Sequence, residues 1–145
     1  MQIDIQVLDK RFYFRCFLLR HFCRRVIQNA WQGDEKAIVS VVLADNAFVQ
    51  DLNKRYRGKD VPTNVLSFEN EPPFAGDIVV AYEVMRDEAR MQKKRFAAHL
   101  AHLLTHGTLH LQGYDHLNDK QANKMENLEI KLLKKMGYSN PYQGA

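Results

Sequence analysis

Cysteine is nearly absent. The 145 residues include only Cys16 and Cys23. That is too few for the disulfide framework of a small secreted domain. The two are seven residues apart, and on one helix they share a face about two turns, or roughly 10 Å, apart. Such a separation is too long for a disulfide, so both are expected to be reduced and packed as small apolar groups. Proline (4) and glycine (7) are too scarce for a collagen-like or low-complexity chain. No stretch approaches the ~18 consecutive apolar residues of a membrane helix. The opening residues, MQIDIQVLDK, lack a basic start followed by an apolar run, so no secretion signal is expected. The expectation is a cytoplasmic protein with no membrane partner.

The 46% hydrophobic fraction is enough for a packed core and excludes a disordered chain. The length fits one domain, residues 1–145. Lys plus Arg is 21 against 17 Asp plus Glu, a net charge of +4, which permits a polyanionic partner without demanding one.

Alternating Ile3, Ile5 and Val7 predict a half-buried strand over Ile3–Leu8. Phe14, Leu18, Phe22, Val26 and Ala30 fall at helical spacing and predict one helix from about Phe12 to Trp31. Ala37–Ala44 is a β-branched run that reads as a buried strand. Asp45 or Asn46 can cap a helix through Tyr56, ended by Gly58. Further strands are expected at Val61–Phe68 and Gly76–Tyr82. Helices are expected at Glu83–Gln92, Arg95–Gln112 and Asn118–Met136. The sum is an α+β domain: a roughly four-stranded mixed sheet packed with about five helices.

Five of the six histidines lie between His99 and His116. His106 and His110 are four apart, so a helix puts both imidazoles on one face, close enough to chelate one ion. Gly113 can adopt positive φ and end the helix, letting the chain swing His116 back toward the pair. His102 and His106 are also four apart, but His106 and His110 stand nearer that turn. Three imidazoles suit Zn²⁺, and three protein ligands rather than four leave a position for water, as in catalytic zinc sites. The spacing matches the histidine helix of zinc peptidases with the signature H-E-x-x-H-x-x-G-x-x-H. The position of their general-base Glu is Gly107 here, which cannot accept a proton, so peptide hydrolysis is not expected.

The segment His106-Gly-Thr-Leu-His-Leu-Gln-Gly-Tyr-Asp-His116 resembles the signature H-G-x-L-H-L-x-G-Y-D-H of the YbeY family of bacterial ribosomal RNA maturation factors. Leu52–Phe68 is similar to that family's L-N-x-x-Y-R-x-K-D-x-P-T-[DN]-V-L-S-F block. Gly76-Asp77-Ile78 is similar to its G-D-I strand opening. The chain departs from the family at Glu69, where proline is frequent. The resemblance implies a zinc-dependent, single-strand-specific endoribonuclease with one Zn²⁺ per chain. It implies roles in maturing the 3′ end of small-subunit ribosomal RNA and in ribosome quality control. Its metal ligands map onto His106, His110 and His116, and its functional arginine maps onto Arg57. Its partners would be ribosomal RNA, the small ribosomal subunit, ribosomal proteins and an assembly GTPase.

The residue chemistry is compatible with RNA. Lys10–Arg25 holds six Lys or Arg, no Asp or Glu, and the interleaved aromatics Phe12, Tyr13, Phe14, Phe17 and Phe22. Lys54, Arg55, Arg57 and Lys59 surround Tyr56, and Arg86, Arg90, Lys93, Lys94 and Arg95 form a third group. Phosphate attraction and aromatic stacking are what single-strand binding uses, although phenylalanines at helical spacing are first expected in a core. Arg57 can grip two phosphate oxygens and stabilise charge in a transition state. His106 is the expected catalytic metal ligand, and Lys54, Arg55 and Lys59 are candidate RNA contacts. Asp115 could orient a zinc histidine and Asp77 could face the cleft. Ser67 and Thr63 could donate to phosphate. Two alternatives stay open: a metal-dependent hydrolase of another substrate, and a non-catalytic ribosome assembly factor with a structural metal.

Overall fold

The computed structural model describes residues 1–143. Alternating side chains in four strands divide the interior between the two faces of one sheet. The strands are β1 (Gln2–Val7), β2 (Ile38–Ala44), β3 (Val65–Glu69) and β4 (Phe74–Ala81), in the order β1-β2-β4-β3. β1, β2 and β4 run parallel, and β3 pairs antiparallel to β4 at the edge. The central strands are covered on both faces, which explains their near-continuous β-branched sequences.

On one face Val39, Val41, Leu43, Ile78 and Val80 pack with Val26 and Ile27 of α2 (Leu19–Ala30) and with Leu100 and Leu104 of α5 (Phe96–Leu111). On the other face Ala44, Leu66, Val79 and Ala81 meet Val49 of α3 (Asn46–Arg57). α4 (Tyr82–Met91) follows β4 directly, and α6 (Asp119–Lys135) packs along α5. Asp45 caps α3 by accepting from the Phe48 N–H at 2.9 Å, and Asn118 caps α6 in the same way from Gln121. Among the described residues no helix is long and apolar enough to cross a membrane.

The expected α+β architecture and mixed sheet are present, with six helices among the described residues rather than about five. The predicted helix over Phe12–Trp31 is two: α1 (Arg11–Arg15) and α2, broken at Leu18, whose φ is 49°. Phe12 is fully buried, edge-on to Tyr82 and Phe96. Burying a phenylalanine is worth about 1.5–3 kcal/mol. Phe12, Cys16, Leu19, Cys23, Val26 and Ala30 form the buried face of the segment on both sides of the break. Phe14 and Leu18, expected in the core, are left in solvent. Cys16 lies at the break, and both cysteines are buried and free. The strand expected from Val61 starts only at Val65. Asn53 of α3 donates to the Val61 carbonyl at 2.9 Å and the Asn64 side chain accepts from the Val65 N–H, while the Asn64 carbonyl still accepts from the Ala81 N–H at 2.9 Å.

Candidate active site

α5 is apolar on nearly every side and lies in the interior, with its C-terminal half beneath β3 and β4. That burial fixes its last two turns, which present His106 and His110 to one side. Beyond the helix, Gly113 adopts φ 93° and its N–H donates to the His110 carbonyl at 3.0 Å. Few residues other than glycine take this conformation readily. The chain then turns back and brings His116 over the pair. Ring centroids are 4.5 Å apart for His106–His110, 5.1 Å for His110–His116 and 5.7 Å for His106–His116. One nitrogen from each ring lies within 4.8 Å of the others. Nε2 of His106 and Nε2 of His110 are 3.0 Å apart.

His102 does not join this group. Its Nε2 lies 3.2 Å from the Tyr142 hydroxyl and 3.4 Å from Glu129. The histidine pair one turn nearer Gly113 is thus the pair that converges with His116.

Glu129 was not anticipated by the sequence reading. It is fully buried on α6, and its Oε1 lies 2.8 Å from Nδ1 of His106 while its Oε2 accepts from the Tyr142 hydroxyl at 2.5 Å. Burial alone would raise this carboxyl, but hydrogen bonds from His102, His106 and Tyr142 and the charge of His106 hold it down at about 2. A carboxylate accepting from Nδ1–H leaves Nε2 of His106 bare and aimed at the cluster. The signal was in the sequence: Met125, Glu129 and Leu132 keep helical core spacing, so Glu129 is an acid on an apolar face. A second carboxylate–imidazole pair lies nearby, Glu88 Oε1 to His99 Nε2 at 2.9 Å, with Asn64 donating to the same carboxylate.

Burial, and then the neighbouring His106 and His116, push His110 below its ordinary value, toward the neutral imidazole that binds metals. The donor set fits a metal: three convergent imidazoles, one with its tautomer fixed, and no fourth His, Cys or carboxylate in the cluster among the described residues. All-nitrogen ligation favours zinc and its first-row neighbours over magnesium or calcium.

The histidines stand at one wall of an open groove of about 740 Å³ that runs along β3 and the segment before it. Arg57, Lys59, Thr63, Ser67 and Asp115 line the same groove. Nη2 of Arg57 donates to the Ser67 carbonyl at 2.9 Å, and its guanidinium lies 5.5 Å from the Phe68 ring centroid. Ser67 Oγ donates to the Gly107 carbonyl at 3.3 Å, tying β3 to α5. The carboxylate of Asp115 accepts from the His116 N–H at 2.8 Å, so it shapes the turn that carries His116.

Other candidates lie elsewhere. Lys54 reaches toward Asp60 at 3.9 Å, and Arg55 pairs with Asp51 at 3.1 Å, both in solvent and neither lining the groove. Asp77 sits on β4 opposite Phe68 and accepts from Asn70 at 3.1 Å, also outside the groove.

Comparison with known proteins agrees with this geometry. A family model described as Endoribonuclease YbeY matches residues 5–137. A Rhizobium etli protein named Endoribonuclease YbeY is 49% identical over 114 residues, covering 73% of this chain and 67% of that one. A solution structure of a protein from Thermotoga maritima is similar with a TM-score of 0.58 at 26% identity, over 98% of this chain and 99% of that one.

Proposed function

The chain belongs to the YbeY endoribonuclease family, and on that premise we propose that it is a zinc-dependent endoribonuclease that acts in ribosomal RNA processing. The observation that carries this reading is the convergence of three imidazole nitrogens in a groove that also holds Arg57 and Lys59. His106, His110 and His116 would hold one Zn²⁺. Bound there, the ion would supply Lewis-acid polarisation of a phosphate oxygen and a lowered pKa for water.

The remaining work falls to the chain. Glu129 keeps the proton of His106 on Nδ1 and its Nε2 free. Arg57 rests on the Ser67 carbonyl and exchanges that neutral acceptor for a phosphate, to which its planar fork can donate twice. It then opposes the charge that grows on the phosphate oxygens during cleavage. Lys59 and Thr63 offer a charge and a hydroxyl to neighbouring phosphates. Position 107 carries no carboxylate, so the histidine helix lacks the general base that this position supplies in zinc peptidases.

The finer reading follows the same family: a single-stranded substrate, the 3′ end of small-subunit ribosomal RNA, and ribosome quality control in the cytoplasm. Ribosomal proteins and an assembly GTPase would be the partners.

The test pairs metal analysis with cleavage of structured RNA, casein and a generic phosphodiester. Wild type should carry about one zinc per chain and cleave RNA alone. His110→Ala should lose both metal and cleavage. Arg57→Ala should keep the metal and lose cleavage. Metal retained with equal RNA cleavage in all three proteins would refute the nuclease reading in favour of an assembly factor with a structural metal.

A further inference from the structure

The break between α1 and α2 leaves an unusual surface. Phe14 and Phe17 are 86% and 88% exposed, Leu18 is 61% exposed, and Tyr13 is 46% exposed. These side chains are adjacent on a five-residue helix and the turn after it. The core does not need them there, because the same segment buries Phe12, Cys16 and Leu19 instead. The turn that displays them holds a leucine at φ 49°, a conformation side-chain-bearing residues rarely adopt. Three aromatics in solvent on one short turn is the kind of exposed patch that marks a binding surface.

The charge around it has one sign. From Lys10 to Gly33 there is no Asp or Glu. Arg11 is engaged by Asp9 and Glu83, and Arg20 by the Ile5 carbonyl and the Tyr13 hydroxyl. Lys10, Arg15, Arg24 and Arg25 are exposed, and none forms an ion pair among the described residues. Arg20 and Arg24 are one turn apart on α2, and Arg20 reaches back to the Tyr13 hydroxyl of α1, so the basic side of α2 begins beside the aromatic turn.

We propose that this surface binds single-stranded RNA, with bases stacked on Phe14 and Phe17 and phosphates drawn to Lys10, Arg15, Arg24 and Arg25. It is a second contact, distinct from the groove, and it rests on the ribonuclease reading above. Unpaired cations interleaved with flat aromatic faces match the two features every RNA strand offers, whatever its sequence. A lipid surface fits less well: membrane-surface helices are long and amphipathic, whereas these side chains sit on five residues and a turn, and the apolar face of α2 is already buried.

The placement separates the two contacts. Phe12 of α1 packs against Phe96 in the first turn of α5, while His106 lies ten residues further along that helix, about 15 Å by helix rise. The aromatic turn and the histidines thus mark opposite ends of one buried helix. RNA cut in the groove would be held on this surface by a flanking stretch several nucleotides away.

The test is fluorescence anisotropy of a labelled single strand of about 20 nucleotides, with every protein zinc-loaded and carrying Arg57→Ala so that the strand stays intact. Phe14→Ala/Phe17→Ala, whose side chains are in solvent, should keep the wild-type circular dichroism and bind at least about tenfold more weakly. Arg24→Glu/Arg25→Glu should weaken binding and flatten its salt dependence. Cleavage of a strand too short to leave the groove, measured with Arg57 in place, should be unchanged in both variants. Wild-type RNA affinity in the folded aromatic variant overturns the proposal. So does loss of binding to phosphatidylglycerol vesicles with RNA affinity intact, which would make the patch a lipid surface. If the wild type cleaves no RNA, the nuclease reading fails, while the anisotropy still decides whether this surface binds it.

Discussion

Nδ1 of His106 lies 2.8 Å from Oε1 of Glu129, a carboxylate with no solvent exposure that spans from α6 to α5. If this contact sets the tautomer of a metal ligand, Glu129→Gln should keep the fold and weaken metal binding. The amide can still accept the bond, but it carries no charge to strengthen the imidazole. Loss of such outer partners typically costs about 10- to 100-fold in metal affinity. Competition against a chromophoric chelator measures it directly, without reference to cleavage. Zinc should also raise the melting temperature of the variant less than that of the wild type, because stabilisation follows affinity. Equal zinc affinity in the two proteins would show that Glu129 is only a packing residue.

Arg57 makes one hydrogen bond, to the backbone oxygen of Ser67, and has the Phe68 ring beside it. Both contacts are available to a lysine only in part, and neither holds the fold together. Arg57→Ala should therefore melt close to wild type and bind zinc normally, yet cleave RNA about 100-fold more slowly or worse. Arg57→Lys should recover little, since an ammonium lacks the two-pronged donor geometry. The decisive measurement is single-turnover cleavage at saturating protein. A variant that differs only in substrate affinity would place Arg57 in binding rather than in the chemical step.

The histidine site was legible because its spacing is local: one helical turn, a glycine and a return, all within eleven residues. The partner of His106 was not, because Glu129 arrives from a different helix and only tertiary packing brings it there. An acid at core spacing between Met125 and Leu132 was the available hint. The buried face of the segment from Phe12 to Ala30 escaped for another reason. Phe14, Leu18 and Phe22 offer one helical periodicity while Cys16, Leu19 and Cys23 offer another, and only the Phe12 pocket formed by Tyr82 and Phe96 decides between them. Arg55 and Lys59 illustrate the same limit at short range. They are four residues apart, yet Gly58 intervenes, so Lys59 enters the groove and Arg55 stays on the outer face of α3.

The expectation of inert thiols can be checked by titration. Burial pushes the Cys23 thiol up to about 12 and raises Cys16 as well. Both should resist a disulfide-exchange reagent in the native protein near neutral pH and react together on unfolding. The linked effect has a definite sign. The unfolded chain releases these protons near the ordinary value of 9.0, before the folded chain does, so stability is full below that pH and declines as pH rises toward 12. Cys23→Ala should remove part of that alkaline decline in a urea-denaturation series. An identical pH profile would place the alkaline sensitivity elsewhere.

Gly107 occupies the position that carries the general base in zinc peptidases, and the structure gives it a packing reason. A Cβ there would come within 3.0 Å of Ile78 Cγ2 and 3.0 Å of Ser67 Oγ. Ile78 is fully buried in the main core, so making room there disturbs its packing. Residue 107 therefore faces the sheet at the closest approach of α5 to β3 and β4, while His106 and His110 face the groove. A glutamate at 107 would be driven between Ile78 and Ser67, where burial desolvates its charge and the Ser67 hydroxyl is the nearest polar atom. Gly107→Glu should therefore lose about 3 kcal/mol or more of stability and gain no activity on casein. Urea denaturation and a caseinolysis assay on the zinc-loaded variant check the two halves. Wild-type stability with new peptidase activity would mean that α5 can rotate, and that this centre differs from a peptidase by one side chain rather than by its packing.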